Sequence, residues 1–214
     1  MSADLKLRPV SRMRPLWLIA AALMITQGIN AAAAEPAYPT RPIRFVVGFT
    51  PGGASDTVAR VVGQKLSDRM GQQLVIDNRG GAGGNIATEL VARAAPDGHT
   101  LLLGTPGPLT ITPNLVNKMT FDPEKDFQPV TLVASTMAVL LVHPSVASSV
   151  KELIATAKAK PGQLNYASSG QGTSNHLAAE LFNTMAGVNI VHIPYKGAGQ
   201  NLPALISGEV QVTF

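Results

Sequence analysis

The segment YASSGQGTSNHLAAELF, residues 166–182, places two serines, a threonine and a histidine around two glycines. Ser169 and His176 could be the nucleophile and base of a hydrolase, but neither serine stands in the G-x-S-x-G pattern of α/β-hydrolases. A triad assembled from distant residues stays open as an alternative. The same hydroxyls, together with backbone amides, could instead bind an anion without reacting with it. The segment therefore favours a binding site over a catalytic one.

Four further glycine-rich segments have the same character, because each follows a predicted strand. In open parallel α/β sheets, ligands bind beyond the carboxyl ends of the strands, where free backbone N–H groups at helix starts favour anions. One such loop is an ordinary connector, but five of them predict an anion held in a cleft. The four segments are FTPGGASD (49–56), RGGAGGN (79–85), GTPGP (104–108) and YKGAGQ (195–200).

Motifs for other ligands are missing from the sequence. The segment RGGAGGN has neither the spacing of a dinucleotide fingerprint nor the Lys-Ser/Thr ending of a P-loop. The chain has no cysteine, which excludes a cysteine nucleophile and thiolate metal sites. The histidines show no H-x-x-x-H pairing, so we expect neither a metal nor a cofactor; they are His99, His143, His176 and His192.

The elements that position these loops alternate between strand and helix. In the first half, a βαβαβ order indicates a parallel sheet with helices on both faces. Its first helix is expected to be capped by Ser55 or Asp56 and to end at Gly71. The predicted strands are IRFVVGF (43–49), LVI (74–76) and TLLLG (100–104).

The second half begins after a proline-rich loop. The stretch PVTLVASTMAVLLVH (129–143) is β-prone and predicts a long strand that crosses from one lobe to the other. Beyond it, Ser149 and Glu152 form a capping box, and strand–helix alternation resumes. The predicted fold class is therefore α/β.

Two α/β lobes with a cleft between them are the architecture that this order predicts. We assign residues 35–133 to the first lobe and residues 134–214 to the second. The apolar strand VQVTF stands at the last residue. We therefore expect a piece of a longer protein, with both lobes incomplete and an unfinished sheet edge at Val210–Phe214.

The N-terminal residues 1–34 have the pattern of a cleavable signal peptide, with a basic start, an apolar run and small residues at the end. Four of the 17 basic residues and one of the 13 acidic residues lie in this segment, so the remainder carries a net charge of only +1. No basic patch indicates nucleic acid. The pattern predicts an exported protein.

Several segments, in this order, closely resemble the Bug-type family, the extracytoplasmic solute-binding proteins of tripartite tricarboxylate transporters. The resemblance implies a periplasmic type II binding-protein fold, a small carboxylate ligand in the interlobe cleft and no catalysis. It also implies a monomer when complete, and delivery of the ligand to a membrane permease. The segments are PIRFVVGFTPGGASDTVAR, VIDNRGGAGGNIA, PDGHTLLLGT, KELIATAKAKPGQLNYASSGQGTSNHLAAELF and VHIPYKGAG.

The resemblance also implies which residues contact the ligand. The first-lobe residues are Gly53, Ala54, Ser55 and Asp56, and the second-lobe residues are Ser168, Ser169, Gly170, Thr173 and His176. Asn85, Thr105 and Lys196 are additional candidates. Family members normally continue past GEVQVTF, and many relatives have an acidic residue in place of Gln211.

Two alternatives to a transport receptor stay open from the sequence. One is a secreted serine hydrolase that uses Ser169 and His176, and the other is a ligand-sensing module of a membrane signalling protein. Because neither of the two principal ligand loops, TPGGASD (50–56) and SSGQGTSNH (168–176), contains an arginine, we expect neutral donors to hold the carboxylate.

Overall fold

Two β-sheets organise the protein, of which the computed structural model describes residues 38–214. The predicted signal peptide, residues 1–34, lies outside the described residues. The α/β fold class is confirmed. The division into lobes at residues 133 and 134 stays a prediction, although the strands of one sheet all precede that point and those of the other all follow it.

The first sheet is parallel, with strand order β2-β1-β3, and confirms the predicted βαβαβ unit. Its core contains the buried side chains of Ile43, Phe45, Val47, Ala59 and Leu74. Apolar side chains of the central strand are thus covered by both neighbours and a helix. The elements are β1 (Ile43–Val47), α1 (Ala54–Met70), β2 (Leu74–Asn78), α2 (Asn85–Ala92) and β3 (Thr100–Leu103).

Helix α1 begins earlier than predicted. Its N-cap is Gly53, which has no side chain to cap the helix, so the prediction of Ser55 or Asp56 as the cap is wrong. The carboxylate of Asp56 lies within the first turn and accepts the N–H of Gly52 at 3.0 Å. The helix ends as predicted at Gly71, which takes the left-handed conformation with φ 66°.

The segment between the sheets is irregular. It contains short helical turns at Gly107–Ile111 and Thr112–Asn114 and has no helix, strand or turn over residues 127–140. The predicted long strand over residues 129–143 is wrong, because only Leu141–Val142 (β4) has a hydrogen-bonding partner strand among the described residues. Side chains along this segment are largely exposed, including Leu132 at 82% and Met137 at 91%.

The second sheet has strand order β4-β7-β5-β6, with β4 antiparallel to β7 and the other pairs parallel. Strand β7 lies between β4 and β5, and Val212 is fully buried. The prediction of an unfinished sheet edge at Val210–Phe214 is therefore wrong, since both sides of β7 are paired. The elements are α3 (Val150–Ala159), β5 (Asn165–Ser168), α4 (Ser174–Ala186), β6 (Val191–Pro194), α5 (Ala198–Ile206) and β7 (Val212–Thr213).

Ser149 is the N-cap of α3, as predicted, but the reciprocal bond of the predicted capping box goes to Ser148 instead of the Ser149 N–H. The hydroxyl of Ser149 accepts the N–H of Glu152 at 3.2 Å. The Glu152 carboxylate in turn accepts both the N–H and the hydroxyl of Ser148, each at 2.8 Å. None of the helices in residues 38–214 combines the length and the hydrophobicity needed to traverse a bilayer.

Candidate ligand-binding cleft

A cavity of about 190 Å³ lies where loops of the two sheets meet. Six of the twelve residues predicted for the site line it, and they come from both halves of the chain. A larger and more open groove, of about 540 Å³, runs along α5 and contains none of the twelve. The smaller cavity is lined by Phe49, Gly53, Ala54, Ser55, Thr105, Pro106, Gly107, Thr136, Ser169, Thr173, Ser174, Asn175 and Ala198.

The first wall of the cavity is the N-terminus of α1. Gly53, Ala54 and Ser55 line it, and the absence of a side-chain cap leaves backbone N–H groups of the first turn without a capping partner. A helix of 17 residues directs the positive end of its dipole to this point. This wall can therefore donate hydrogen bonds to an anion.

Asp56 supports this wall without lining the cavity. It is only 4% exposed, and it accepts hydrogen bonds from the Gly52 N–H and from Arg60, each at 3.0 Å. The Arg60 hydrogen bond, helped by the Gly52 N–H, holds the pKa of Asp56 below its usual range despite burial. Because its charge is paired within its own helix, Asp56 positions the loop before α1.

The second wall is the loop before α4, which its own side chains hold in shape. The Thr173 hydroxyl donates to the Gly170 carbonyl at 2.7 Å and accepts the His176 N–H at 3.4 Å, so Thr173 is the N-cap of α4. Ser168 is fully buried and accepts the Gly170 N–H at 3.1 Å. Ser169, by contrast, lines the cavity.

An aromatic stack lies next to this loop. The His192 ring stacks on Tyr166 with centroids 4.8 Å apart, and the His176 ring lies 4.4 Å from His192. The Tyr166 hydroxyl donates to Glu180. Burial lowers the pKa of His192, the neighbouring His176 lowers it further, and Glu180 opposes both. The stack therefore favours a neutral His192.

Both histidines, His176 and His192, make hydrogen bonds to the loop before α4. His176 Nδ1 accepts the Gly172 N–H at 3.3 Å, and the only Ser–His side-chain contact at this loop among the described residues joins Ser168 to His192 Nε2 at 2.6 Å. Ser168 has no exposed surface. The pairing of Ser169 with His176 that a hydrolase would use is not seen as a hydrogen bond.

Asn85 and Lys196 are placed outside the cavity lining. The Asn85 amide donates to the Ala82 carbonyl at 2.7 Å, which ties down the turn before α2. Lys196 has an exposed side chain, while its carbonyl accepts the Thr50 N–H at 3.2 Å. The Asn85 side chain therefore holds one turn in shape, whereas the Lys196 backbone joins two loops.

Five hydroxyl side chains line the cavity without a hydrogen-bond partner among the described residues. Two of them were not predicted. Thr136 lies in the segment that had been predicted as a long strand, and Ser174 directly follows the cap of α4. The run T-S-N before an apolar helical pattern could have pointed to Ser174, but no sequence signal points to Thr136. The five are Ser55, Thr105, Thr136, Ser169 and Ser174.

The chemistry of the cavity is that of a neutral anion site. None of the described residues that line it is charged. Three helix N-termini, of α1, α4 and α5, contribute residues to its walls, and their dipoles favour negative charge there. Within residues 38–214, no three His, Asp or Glu side chains lie close enough together to hold a metal ion.

Comparison with known proteins places this arrangement in a family. A protein of Pseudomonas sp. (strain P51), the UPF0065 protein in the tcbD-tcbE intergenic region, is 40% identical over 192 residues, which are 89% of this chain and 57% of that protein. The structure titled R. palustris Rpa4515 with adipate is 42% identical with a TM-score of 0.79, covering 82% of this chain and 59% of that one. The periplasmic binding protein BugD is 32% identical with a TM-score of 0.73 over the same shares.

The comparisons also show how much of each relative this chain spans and which family it belongs to. The chain spans less than two thirds of the length of each of these relatives. Their fold confirms the expected periplasmic binding-protein architecture. A family model described as the tripartite tricarboxylate transporter family receptor matches residues 58–214. The chain belongs to this receptor family.

Proposed function

We propose that this chain belongs to an extracytoplasmic receptor that captures a small carboxylate in the cavity between the α1 and α4 N-termini. The observation that carries the proposal is the lining, which combines three helix N-termini and five hydroxyls with no charged side chain among the described residues. Such donors complement a carboxylate. A cation would meet the positive ends of three helix dipoles and is disfavoured.

The binding energy can come from these neutral donors alone. A hydrogen bond to a charged group contributes about 1.5–3 kcal/mol, so three or four well-aimed donors give a useful affinity after the cost of association. We assign these contacts to the amides of Gly53 and Ala54 and to the hydroxyls of Ser55, Thr105 and Ser169. Thr173, Ser168, Gly170 and His176 shape the second wall, and Asp56 shapes the first.

The same family membership supports a proposal for the location and the partner of the receptor. We propose that residues 1–34 direct export, that the receptor works in the periplasm, and that it delivers its ligand to a tripartite tricarboxylate-type permease. The adipate named with Rpa4515 supports a small dicarboxylate as ligand, and the periplasmic title of BugD supports the compartment.

Calorimetric titration with adipate and with its uncharged diamide, adipamide, tests the proposal. Adipate should bind and adipamide should bind far more weakly, because the lining complements negative charge. Ser169→Ala should weaken adipate binding by roughly tenfold, the equivalent of one lost charged hydrogen bond. Lys196→Met is the matched control, because it removes a charge beside the cleft and should change affinity little. Equal binding of the diamide, or loss of all binding in Lys196→Met, would show that neutral donors do not hold a carboxylate here.

Two rival functions give different results in the same preparation. A hydrolase would consume an ester or amide substrate, and Ser169→Ala would abolish that turnover. A sensing module would bind the carboxylate without supporting its uptake. Uptake of labelled adipate by cells that carry the permease, with and without the receptor, separates transport from sensing.

A further inference from the structure

Beside the cavity, the backbones of the two halves of the chain are in direct contact. We call this contact the glycine junction. The Thr50 N–H donates to the Lys196 carbonyl at 3.2 Å, so the two backbones are directly joined. On one side it comprises Thr50, Pro51 and Gly80, and on the other Lys196, Gly197 and Gly199.

The backbones approach so closely that side chains would not fit. A Cβ atom added to Gly80 would lie 2.9 Å from the Lys196 carbonyl oxygen and 3.1 Å from the Thr50 nitrogen. A Cβ atom added to Gly199 would overlap the Pro51 carbonyl oxygen, far inside the 3.0 Å that real Cβ atoms keep. In both cases the obstructing atom is backbone, which cannot swing aside.

The junction continues directly into the cavity wall. Gly53 and Ala198 both line the cavity, and a Cβ atom at Gly53 would lie 3.3 Å from the Cβ atom of Ala198. Ala198 is the first residue of α5, adjacent to Gly199. The distance between α5 and the loop before α1 therefore sets how closely the cavity is enclosed.

Backbone conformation does not account for glycine at positions 80 and 199. Neither residue has a positive φ, unlike Gly197, whose φ of 150° favours glycine by itself. In the first turn of a helix, alanine is at least as favourable as glycine. The close approach is thus the feature that requires glycine at these two positions.

We propose that Gly80 and Gly199 are positioning residues of the ligand site. Their missing side chains let the N-terminus of α5 rest on the loop of residues 49–53 and hold its amides in place for the carboxylate. This inference rests on the proposed carboxylate-binding function. A methyl group at either position separates the two backbones and reduces the population of the enclosed cavity.

The variants Gly199→Ala and Gly80→Ala test this role through adipate affinity. If the enclosed form falls to a tenth of its population, the apparent affinity falls about tenfold. The double variant should lose much less than the product of the two effects, because both open the same contact. Gly63→Ala is the matched control, since its Cβ atom would lie 3.1 Å from the Ile76 side chain within the first half of the chain.

A distance measurement without ligand separates this inference from the proposed function. The chain has no cysteine, so Lys65→Cys and Lys158→Cys, both at exposed helical positions, can carry a pair of spin labels. Gly199→Ala should lengthen the mean label distance, Gly63→Ala should not, and circular dichroism should show both variants folded.

The distance and affinity measurements together distinguish a failure of the positioning role from a failure of the proposed carboxylate binding. An unchanged label distance in folded Gly199→Ala overturns the positioning role, whatever the affinity does. A longer distance with unaltered adipate affinity overturns it as well. If the unsubstituted protein binds no adipate while Gly199→Ala still lengthens the distance, the junction stands and adipate binding is the part that fails.

Discussion

Thr173→Val removes one hydroxyl group from the second wall of the cleft and leaves a side chain of nearly the same shape. The residue is only 5% exposed. Its hydroxyl donates to the Gly170 carbonyl at 2.7 Å and accepts the His176 N–H at 3.4 Å. The substitution therefore deletes two hydrogen bonds without creating a cavity.

The expected loss of stability is about 2 kcal/mol. Removal of a helix N-cap costs about 1 kcal/mol. The Gly170 carbonyl also accepts the Ser168 hydroxyl at 3.2 Å and the Thr173 N–H at 3.3 Å, so it keeps other donors. The lost bond to it then costs about 1 kcal/mol, the net value of an ordinary hydrogen bond. For a chain of this size the melting temperature should fall by about 4–8 °C.

Urea denaturation of the ligand-free protein measures this loss, and amide exchange assigns it to the cap. The His176 amide should exchange faster in Thr173→Val and stay protected in Thr173→Ser, which keeps the hydroxyl. The assignment of Thr173 as the cap of α4 would be refuted if the free energy of unfolding of Thr173→Val lay within about 0.5 kcal/mol of that of the original protein. Unaltered exchange of the His176 amide would refute it as well.

Three further predictions concern other parts of the fold. Ser149→Ala removes the cap of α3 and should cost about 1 kcal/mol in urea denaturation; no measurable loss would contradict the capping role. The lowered pKa of half-buried His192 means that the unfolded chain binds more protons than the folded chain near pH 6.5, so stability should fall as the pH drops through that region. The urea midpoints of His192→Gln should depend less on pH there, and an identical dependence would count against a neutral ring in the folded protein. The Arg60 hydrogen bond lowers the pKa of Asp56, so the stabilisation from this ion pair is present above about pH 3.9 and is lost as the pH falls further. In Asp56→Asn the free energy of unfolding should therefore depend less on pH in the acid range, and an unchanged dependence would refute this.

The parts of the fold that could be predicted from sequence are those set by local pattern. The apolar run that became β1 and the left-handed Gly71 that ends α1 lie where the pattern placed them. Ser149 caps α3 because its side chain accepts the Glu152 N–H, a donor of the first turn that has no partner within the helix. Each of these features depends on residues within a few positions along the chain.

Sheet order could not be predicted in the same way. Strand β7 lies between β4 and β5 because of pairings with residues more than 40 positions away. Local pattern shows that Val212 is apolar but not which strands it joins. The prediction of a long strand over residues 129–143 is wrong for a related reason, since a β-prone segment forms a strand only where a partner strand supplies hydrogen bonds.

Neighbouring residues of the site differ in role for a geometric reason that the sequence does not show. Successive side chains at the end of a strand point to opposite faces, so Ser168 is buried against His192 while Ser169 reaches the cavity. Ser168 and His192 are 24 positions apart in the sequence, and their contact depends on the pairing of β5 with β6. Resemblance to a family names both serines, but only the register separates the structural hydroxyl from the one that faces the cavity.

A lining of neutral donors also suits the proposed receptor function, in which the ligand must be released. A lysine or arginine inside a cavity of about 190 Å³ would lose hydration, at an effective cost of several kcal/mol while the site is empty. Amides and hydroxyls are less costly to leave unpaired, and the helix dipoles contribute a favourable potential without a charge that needs hydration. The empty site is then not strongly destabilised relative to the occupied one. Affinity depends instead on how many donors converge, and so on how closely the loop before α1 and the helices α4 and α5 approach one another.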